Sequence, residues 1–226
     1  MMTVQINTLL KVGRGVTALI GGGGKTTLML TLAKELCKKG TVVITTSTKI
    51  REPEEFETLI DPSEEELAAR LAEKRILCVA SPGPEGKLTA PKMGFEALAR
   101  LADYVIVEAD GAKMLPLKAH APYEPVIPEN TQRTIMVVGV DGFGKRIVDI
   151  CHRAELYASL AGVSVEACVT PEIEARILKK EGGFDRVYIN KLEHDGQFET
   201  ASELASLLDC PVVAGSLFMG VYLCLR

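Results

Sequence analysis

Four consecutive glycines followed by a lysine and two threonines, Gly21-Gly22-Gly23-Gly24-Lys25-Thr26-Thr27, constrain this chain more than any other stretch. They follow an apolar segment, Val16 to Ile20. Glycines let a backbone turn its N–H groups inward around an anion, a lysine reaches the outer phosphates, and a threonine hydroxyl can ligate a phosphate-bound Mg²⁺. The next residues must then open a helix. Leu28, Leu32 and Leu36, with Met29 and Ala33 alongside, form the apolar stripe of one, and Lys38-Lys39-Gly40 supplies a cationic last turn and a stop. Its N-terminus points partial positive charge at the anion. Leu19 stands where the usual loop begins with glycine, so the motif is a glycine-compressed variant, and position 20 is isoleucine rather than the second lysine of another variant. The competing reading is a strand-to-helix turn without a ligand, but a mere turn rarely needs four glycines and their entropic cost.

At 226 residues the chain is long enough to bury a substantial core, and residues 1–226 read as a single domain with a leading segment at 1–15 and a proline-rich excursion at 112–132. A net charge of −4 argues against a nucleic-acid-binding surface or a basic membrane-facing patch. There is no run of about 20 apolar residues, and Met1-Met2-Thr3-Val4-Gln5-Ile6-Asn7 lacks the order of a signal peptide. The expectation is a cytoplasmic protein. Six cysteines, at 37, 78, 151, 168, 210 and 224, form no Cys-x-x-Cys pair, which predicts neither a zinc site nor a disulfide framework and mostly small buried hydrophobes.

Along the chain, Ile6 to Val12 predicts a leading helix packed on the sheet, and Thr41 to Thr46 a buried second strand. That strand exits through Thr45-Thr46-Ser47-Thr48-Lys49, where hydroxyls and a cation either meet a ligand or simply reflect β-propensity and turn chemistry. Residues 51–62 read as a surface connection, and Ser63-x-x-Glu66 caps a helix turning Leu67, Ala68, Leu71 and Ala72 inward. Ile76 to Ala80 is the next strand. Residues 81–92 show no period and read as a plain surface loop or a mobile cover, and a helix around Phe95, Leu98 and Leu101 follows.

Tyr104-Val105-Ile106-Val107-Glu108-Ala109-Asp110 is an apolar strand ending in two acids, the natural partner of a phosphate loop. A carboxylate there can hold Mg²⁺ and a second can orient an attacking water. Asp110 is assigned to the metal, and Glu108 to metal or base. The prolines of residues 112–128 make an extended segment carrying Lys113, Lys118, His120 and Glu124; pattern alone favours a surface excursion with His120 exposed. Thr134 to Val140 is a buried strand, Ile147, Cys151, Ala154 and Leu160 mark one helix bearing His152 and Arg153, and Thr170-Pro171 starts another. Arg186 to Asn190 is a strand ending in Asn190-Lys191-Leu192-Glu193. GTP-binding proteins carry Asn-Lys-x-Asp at such a place, and the longer glutamate leaves guanine selectivity open. A helix from Phe198 to Leu208 leads to a last strand, Pro211 to Leu217, whose exit could line a base pocket.

Gly-Gly-Gly-Gly-Lys-Thr-Thr, Thr-Thr-Ser-Thr-Lys-Ile, Val-Glu-Ala-Asp-Gly-Ala, Leu-Pro-Leu-Lys-Ala with Glu-Pro-Val-Ile-Pro, Cys-His-Arg-Ala-Glu and Ile-Asn-Lys together resemble the YqeC family over residues 9–217. That family is described as selenium cofactor biosynthesis proteins or accessory proteins of selenium-dependent molybdenum hydroxylases. The resemblance implies that Lys118, Glu124, His152 and Arg153 belong to a functional surface, and with Thr48 at the exit of the second strand and His120 in the extended segment they make up the expected partner or substrate surface. The fold expected is a doubly wound, mostly parallel sheet in a three-layer α/β/α arrangement, P-loop NTPase-like. Lys25 and the amides of Gly21 to Thr27 would hold the phosphates of ATP or GTP, Thr26 and Asp110 the Mg²⁺, and Asn190 with Lys191 the base, with Lys25, Glu108 and Asp110 as catalytic groups. The function expected is a slow NTPase that assists maturation of such a hydroxylase or its cofactor machinery. A small-molecule kinase or ATP-dependent ligase is the alternative, with Lys118, His120 and Arg153 binding the acceptor. A third idea makes Cys151 a selenium carrier, its thiol pKa lowered by His152 and Arg153, against the usual reading of a cysteine on an amphipathic helix as core.

Overall fold

The computed structural model describes residues 4–226, so Met1, Met2 and Thr3 of the leading segment lie outside the described residues. A single turn, α1 (Ile6–Leu9), leads into β1 (Gly15–Gly21), and α2 (Lys25–Leu36) begins after only Gly22, Gly23 and Gly24. Then come β2 (Val42–Thr46), the short β3 (Lys49–Ile50) and β4 (Thr58–Ile60), α3 (Glu64–Glu73), β5 (Ile76–Pro82) and β6 (Leu88–Thr89). Next are α4 (Phe95–Leu101), β7 (Tyr104–Glu108), β8 (Leu117–Lys118) and β9 (Thr131–Gly139). The last third holds α5 (Ile147–Ile150), β10 (Cys151–His152), α6 (Ala154–Ala161), α7 (Pro171–Glu181), β11 (Arg186–Asn190), α8 (Gln197–Leu207), β12 (Val212–Ser216) and β13 (Val221–Cys224).

The strands order as β13-β12-β11-β9-β1-β7-β2-β5-β6-β3, with β4 also on β5. From β12 to β5 every pairing is parallel; β13, β6 and β3 add antiparallel edges. From β1 the chain first builds outward through β2 and β5, then returns through β7 and crosses to β9. This reversal puts β1 at the topological switch point, where an open α/β sheet leaves a crevice beyond its strand ends.

Alternation along the strands sorts the core into layers. Leu19, Ile44, Ile106, Ile135 and Val137 face α1 and α2, where Leu28, Leu32 and Leu36 cover them. Ile20, Met136, Val138, Val187 and Ile189 face the opposite way, against α6, α7 and α8. Val43, Leu77, Val105 and Val107 extend that second face under Leu67 of α3 and Leu98 of α4. The sheet is thus sandwiched between helices, the three-layer α/β architecture expected. Among the described residues no helix is long and apolar enough to cross a membrane.

Several local expectations are corrected. Residues 51–62 contain β4, whose lone buried Leu59 gives no readable period. Ala68 and Ala72 of α3 are exposed, leaving Leu67 and Leu71 to pack. The aperiodic 81–92 stretch folds back as the β5–β6 hairpin rather than a plain loop. The helix expected through Cys151 is interrupted, because Cys151 and His152 pair with Leu117 and Lys118 as a two-stranded ribbon before Arg153, at φ +62°, starts α6. Cys168 and Cys224 are exposed, whereas Cys78 and Cys151 are buried.

Candidate functional site

The loop is shaped by what its glycines lack. Gly21, Gly23 and Gly24 hold φ of +97°, +73° and +119°, in the left-handed half of the map that favours glycine. A Cβ on Gly21 would lie 2.3 Å from the Val137 carbonyl oxygen, one on Gly22 2.5 Å from that of Pro116, and one on Gly23 2.3 Å from the Gly139 amide. The loop is therefore wedged between the exit of β9 and the extended segment that follows β7.

Its amides divide into two sets. Gly21 N–H donates to Asp110 Oδ2 at 2.8 Å, Gly22 N–H to Val137 O at 2.9 Å and Gly23 N–H to Leu115 O at 3.1 Å. The amides of Gly24, Lys25, Thr26 and Thr27 have no protein acceptor among the described residues. They are the free donors of the α2 N-terminus, aimed where the helix dipole favours an anion.

Lys25 is buried and bends back, its Nζ donating to Gly21 O at 2.6 Å and standing 2.9 Å from Asp110 Oδ1 and 3.9 Å from Glu108 Oε1. Thr26 Oγ1 donates to Glu108 Oε2 at 2.7 Å, so the structure pairs the loop hydroxyl with Glu108 rather than with Asp110. Burial pushes the Glu108 carboxyl pKa up, with Lys25 and Thr26 opposing. Burial acts on Asp110 in the same direction, but Lys25, His120 and Lys118 together outweigh it and hold that carboxyl well below the usual range.

Asp110 is the hub of a buried charge relay. Its Oδ2 also meets His120 Nε2 at 2.5 Å and Lys118 Nζ at 3.1 Å. His120 Nδ1 is 2.7 Å from Glu181 Oε2, and its backbone N–H donates to Glu181 Oε1 at 2.7 Å. Burial alone would lower the His120 pKa, and the two flanking carboxylates raise it. Lys118 donates to Gly111 O and to Glu124 Oε2, both at 2.7 Å, and Arg153 donates to that same Glu124 oxygen at 2.9 Å while lying over the Tyr123 ring. Ion pairs and hydrogen bonds thus run unbroken from Lys25 to Arg153. The exposed His120 expected from pattern is corrected: the prolines turn this segment inward, and only 6% of the His120 side chain is exposed.

Asn190 donates its side-chain N–H to Gly23 O at 2.8 Å and accepts from Leu217 N–H at 3.1 Å, tying the loop to β11 and β12. Lys191 pairs with Asp141 at 2.8 Å, and Glu193 accepts from Ser216 Oγ at 2.8 Å. Thr48 lies at the β2 exit with its N–H on Thr46 Oγ1, which itself donates to the Glu108 carbonyl. His152 is kept neutral, its pKa lowered to about 4 by burial and then by Arg153, Lys118 and Lys113. Cys151 is buried in the core, and burial pushes its thiol up, the opposite of the lowered thiol that the carrier idea needs. Sequence reasoning missed Leu115, Pro116 and Glu181. The first two act through backbone carbonyls, which no side-chain pattern marks, and Glu181 meets His120 from 61 residues away.

Behind His120, the fully buried Glu174 accepts a hydrogen bond from the Tyr157 hydroxyl, and burial pushes its pKa up to about 8. Free in the unfolded chain, this carboxyl ionises above about pH 4.3. The fold must keep it protonated up to about pH 8, so it costs stability increasingly as pH rises across that window. Glu174→Gln is expected to match the parent near pH 4 and to exceed it by about 4 kcal/mol at pH 8, read as urea midpoints at the two pH values.

The chain matches the model of a family described as YqeC protein over residues 17–155. It is 29% identical over 185 residues to a protein of Escherichia coli (strain K12) described as uncharacterized protein YqeC, covering 76% of this chain and 71% of that one. Among solved structures it is similar to the signal recognition particle 54 kDa protein of Aeropyrum pernix K1 in complex with GDP, at 16% identity and a TM-score of 0.39. That match covers 94% of this chain, which spans 44% of the length of the other.

Proposed function

The chain belongs to the YqeC family, and from the geometry of its glycine loop we propose that it is a Mg²⁺-dependent nucleotide-binding protein and slow NTPase. The observation that carries this reading is the set of four free amides, Gly24 to Thr27, at the head of α2 beside a buried lysine that is paired but not locked. An incoming phosphate would take these amides, and Lys25 would swing from the Gly21 carbonyl and Asp110 onto its oxygens. The donors suit Mg²⁺, which takes hard oxygen ligands and usually binds through one or two carboxylates plus phosphate. Thr26 and Glu108 would hold it, and Asp110 Oδ1, which the Lys25 ammonium meets at 2.9 Å, would become a further acceptor once Lys25 turns to the phosphate. A bound Mg²⁺ would neutralise charge developing on the transferred phosphoryl group. Where Glu108 does not ligate the metal, it is the alternative acceptor for a proton of an attacking water, because three donors already occupy Asp110. Asn190 and Lys191 would contact the base, and Asn190, already bonded to the Gly23 carbonyl, would link base occupancy to the loop.

Family resemblance directs this activity to maturation of selenium-dependent molybdenum hydroxylases in the cytoplasm. The relay supports a switch-like role, since moving Lys25 off Asp110 would redistribute charge toward Glu124, Arg153 and the exposed Tyr123. The kinase or ligase reading is less well supported. Its acceptor-binding groups, Lys118, His120 and Arg153, are already bonded to Asp110, Gly111, Ala119, Glu124 and Glu181.

Calorimetric titration with ATP and GTP, with and without Mg²⁺, tests the proposal. One nucleotide is expected to bind about tenfold more tightly with Mg²⁺, and Glu108→Gln to erase most of that difference. Absence of binding by both nucleotides would refute it.

A further inference from the structure

On the far side of His120 from the loop, a cavity of about 530 Å³ opens between α6, the end of α7 and residues 120–127. That volume lies within the roughly 300–1,000 Å³ of small-molecule sites. Its walls are largely apolar: Ile20, the residue just before the glycines, together with Ile127, Leu156 and Leu160. Its rim crosses Gly182 and Gly183, where an added Cβ would meet nothing within 4 Å, so the mouth is open.

The lining carries more acceptors than donors, and both of its carboxylates are ion-paired on one side, Glu124 with Lys118 and Arg153 and Glu181 with His120. His120 is the only lining side chain with N–H donors, and both its ring nitrogens are engaged, with Asp110 and Glu181. Neither lysine nor arginine lines the cavity. Acceptor capacity remains. Lys118 and Arg153 both bond Oε2 of Glu124 and leave its Oε1 without a protein donor. The Glu181 carboxylate takes two bonds from His120, where a carboxylate offers about four lone-pair sites. A site with apolar walls and unused carboxylate acceptors selects a ligand with an apolar body and charged N–H donors.

We propose that this cavity binds a small cationic ligand, an amidine or amine on a planar or branched apolar body, with its charged end on Glu181 and Glu124. The cavity stands independently of nucleotide binding. Only its link to the loop, through the imidazole shared by Glu181 and Asp110, rests on the reading above. A cation on Glu181 would compete with His120 for that carboxylate and so alter the charge that Asp110 offers to Lys25.

Benzamidine is the probe, with benzoate and benzyl alcohol as the anionic and neutral analogues of the same ring, added to nucleotide-free protein and followed by methyl NMR. Benzamidine is expected to shift the methyls of Ile20, Ile127, Leu156 and Leu160 saturably, with a Kd of about 1 mM or below. Benzoate and benzyl alcohol should bind there at least about fivefold more weakly. Leu160→Trp, or Leu156→Trp if the first does not fold, should fill the space and remove the shifts. Equal binding of benzoate, shifts that map elsewhere, or shifts that survive the filled cavity would overturn the proposal. Because no nucleotide is present, such a failure would leave the reading of the loop untouched.

Discussion

Replacing Gly23 with alanine is expected to remove about 4 kcal/mol of stability and nucleotide binding with it. Two costs add. At φ +73° a side chain pays about 1–2 kcal/mol for the left-handed backbone. The new Cβ would also sit 2.3 Å from the Gly139 amide and 2.5 Å from its Cα, contacts with backbone that no rotamer relieves, and such overpacking costs about 1–3 kcal/mol or more. Relief would require the loop to lift off β9, breaking the Gly22–Val137 and Gly23–Leu115 bonds and displacing the Gly23 carbonyl that Asn190 holds. Gly13→Ala is the matching control, since its Cβ meets nothing within 4 Å. Urea unfolding of both variants, followed by titration with ATP and GTP, checks this; a native-like midpoint for Gly23→Ala would contradict the described wedge.

Asp110→Asn is expected to cost about 3 kcal/mol at neutral pH, because it leaves Lys25, Lys118 and His120 converging on an uncharged amide. An asparagine also supplies its own donors where three are already crowded. The pH dependence has a definite sign. Asp110 is held below its ordinary pKa by its cations, so its stabilisation is complete above about pH 4, where the unfolded carboxyl is ionised, and is lost as pH falls toward the folded pKa. The gap between parent and variant should therefore be widest near neutrality and narrow steadily below pH 4. A constant gap down to pH 2 would mean that packing, not charge, ties Asp110 to the fold.

Much of this architecture was legible because it is written locally. The glycine run, the apolar stripe of α2 and the buried strands at 42–46, 104–108 and 186–190 each carry their own period or punctuation, and the structure places elements at all of them. Short elements defined by partners were not legible. β4 has one buried residue, and the Cys151–His152 ribbon exists because Leu117–Lys118 lies beside it. The chain of acids and bases around Asp110 was only half visible. Lys118, His120 and Glu124 stood out as a density of charge, but that prolines would turn them inward, and that Glu181 would meet them from the end of α7, depends on tertiary packing. Thr26 meeting Glu108 instead of Asp110 turns on where β7 ends, a matter of one or two residues.

The bond from Asn190 to the Gly23 carbonyl closes a span of 167 residues. During synthesis, the glycine motif emerges before the strand ends that shape it, at 137–139 and at 190. A ribosome-bound chain interrupted before β11 would display the complete motif without its scaffold. Long-range closure of this kind makes parallel sheets slow to fold. The glycine loop therefore takes the shape described here only after β11 has been made, and on the proposed reading a chain still short of β11 cannot capture nucleotide.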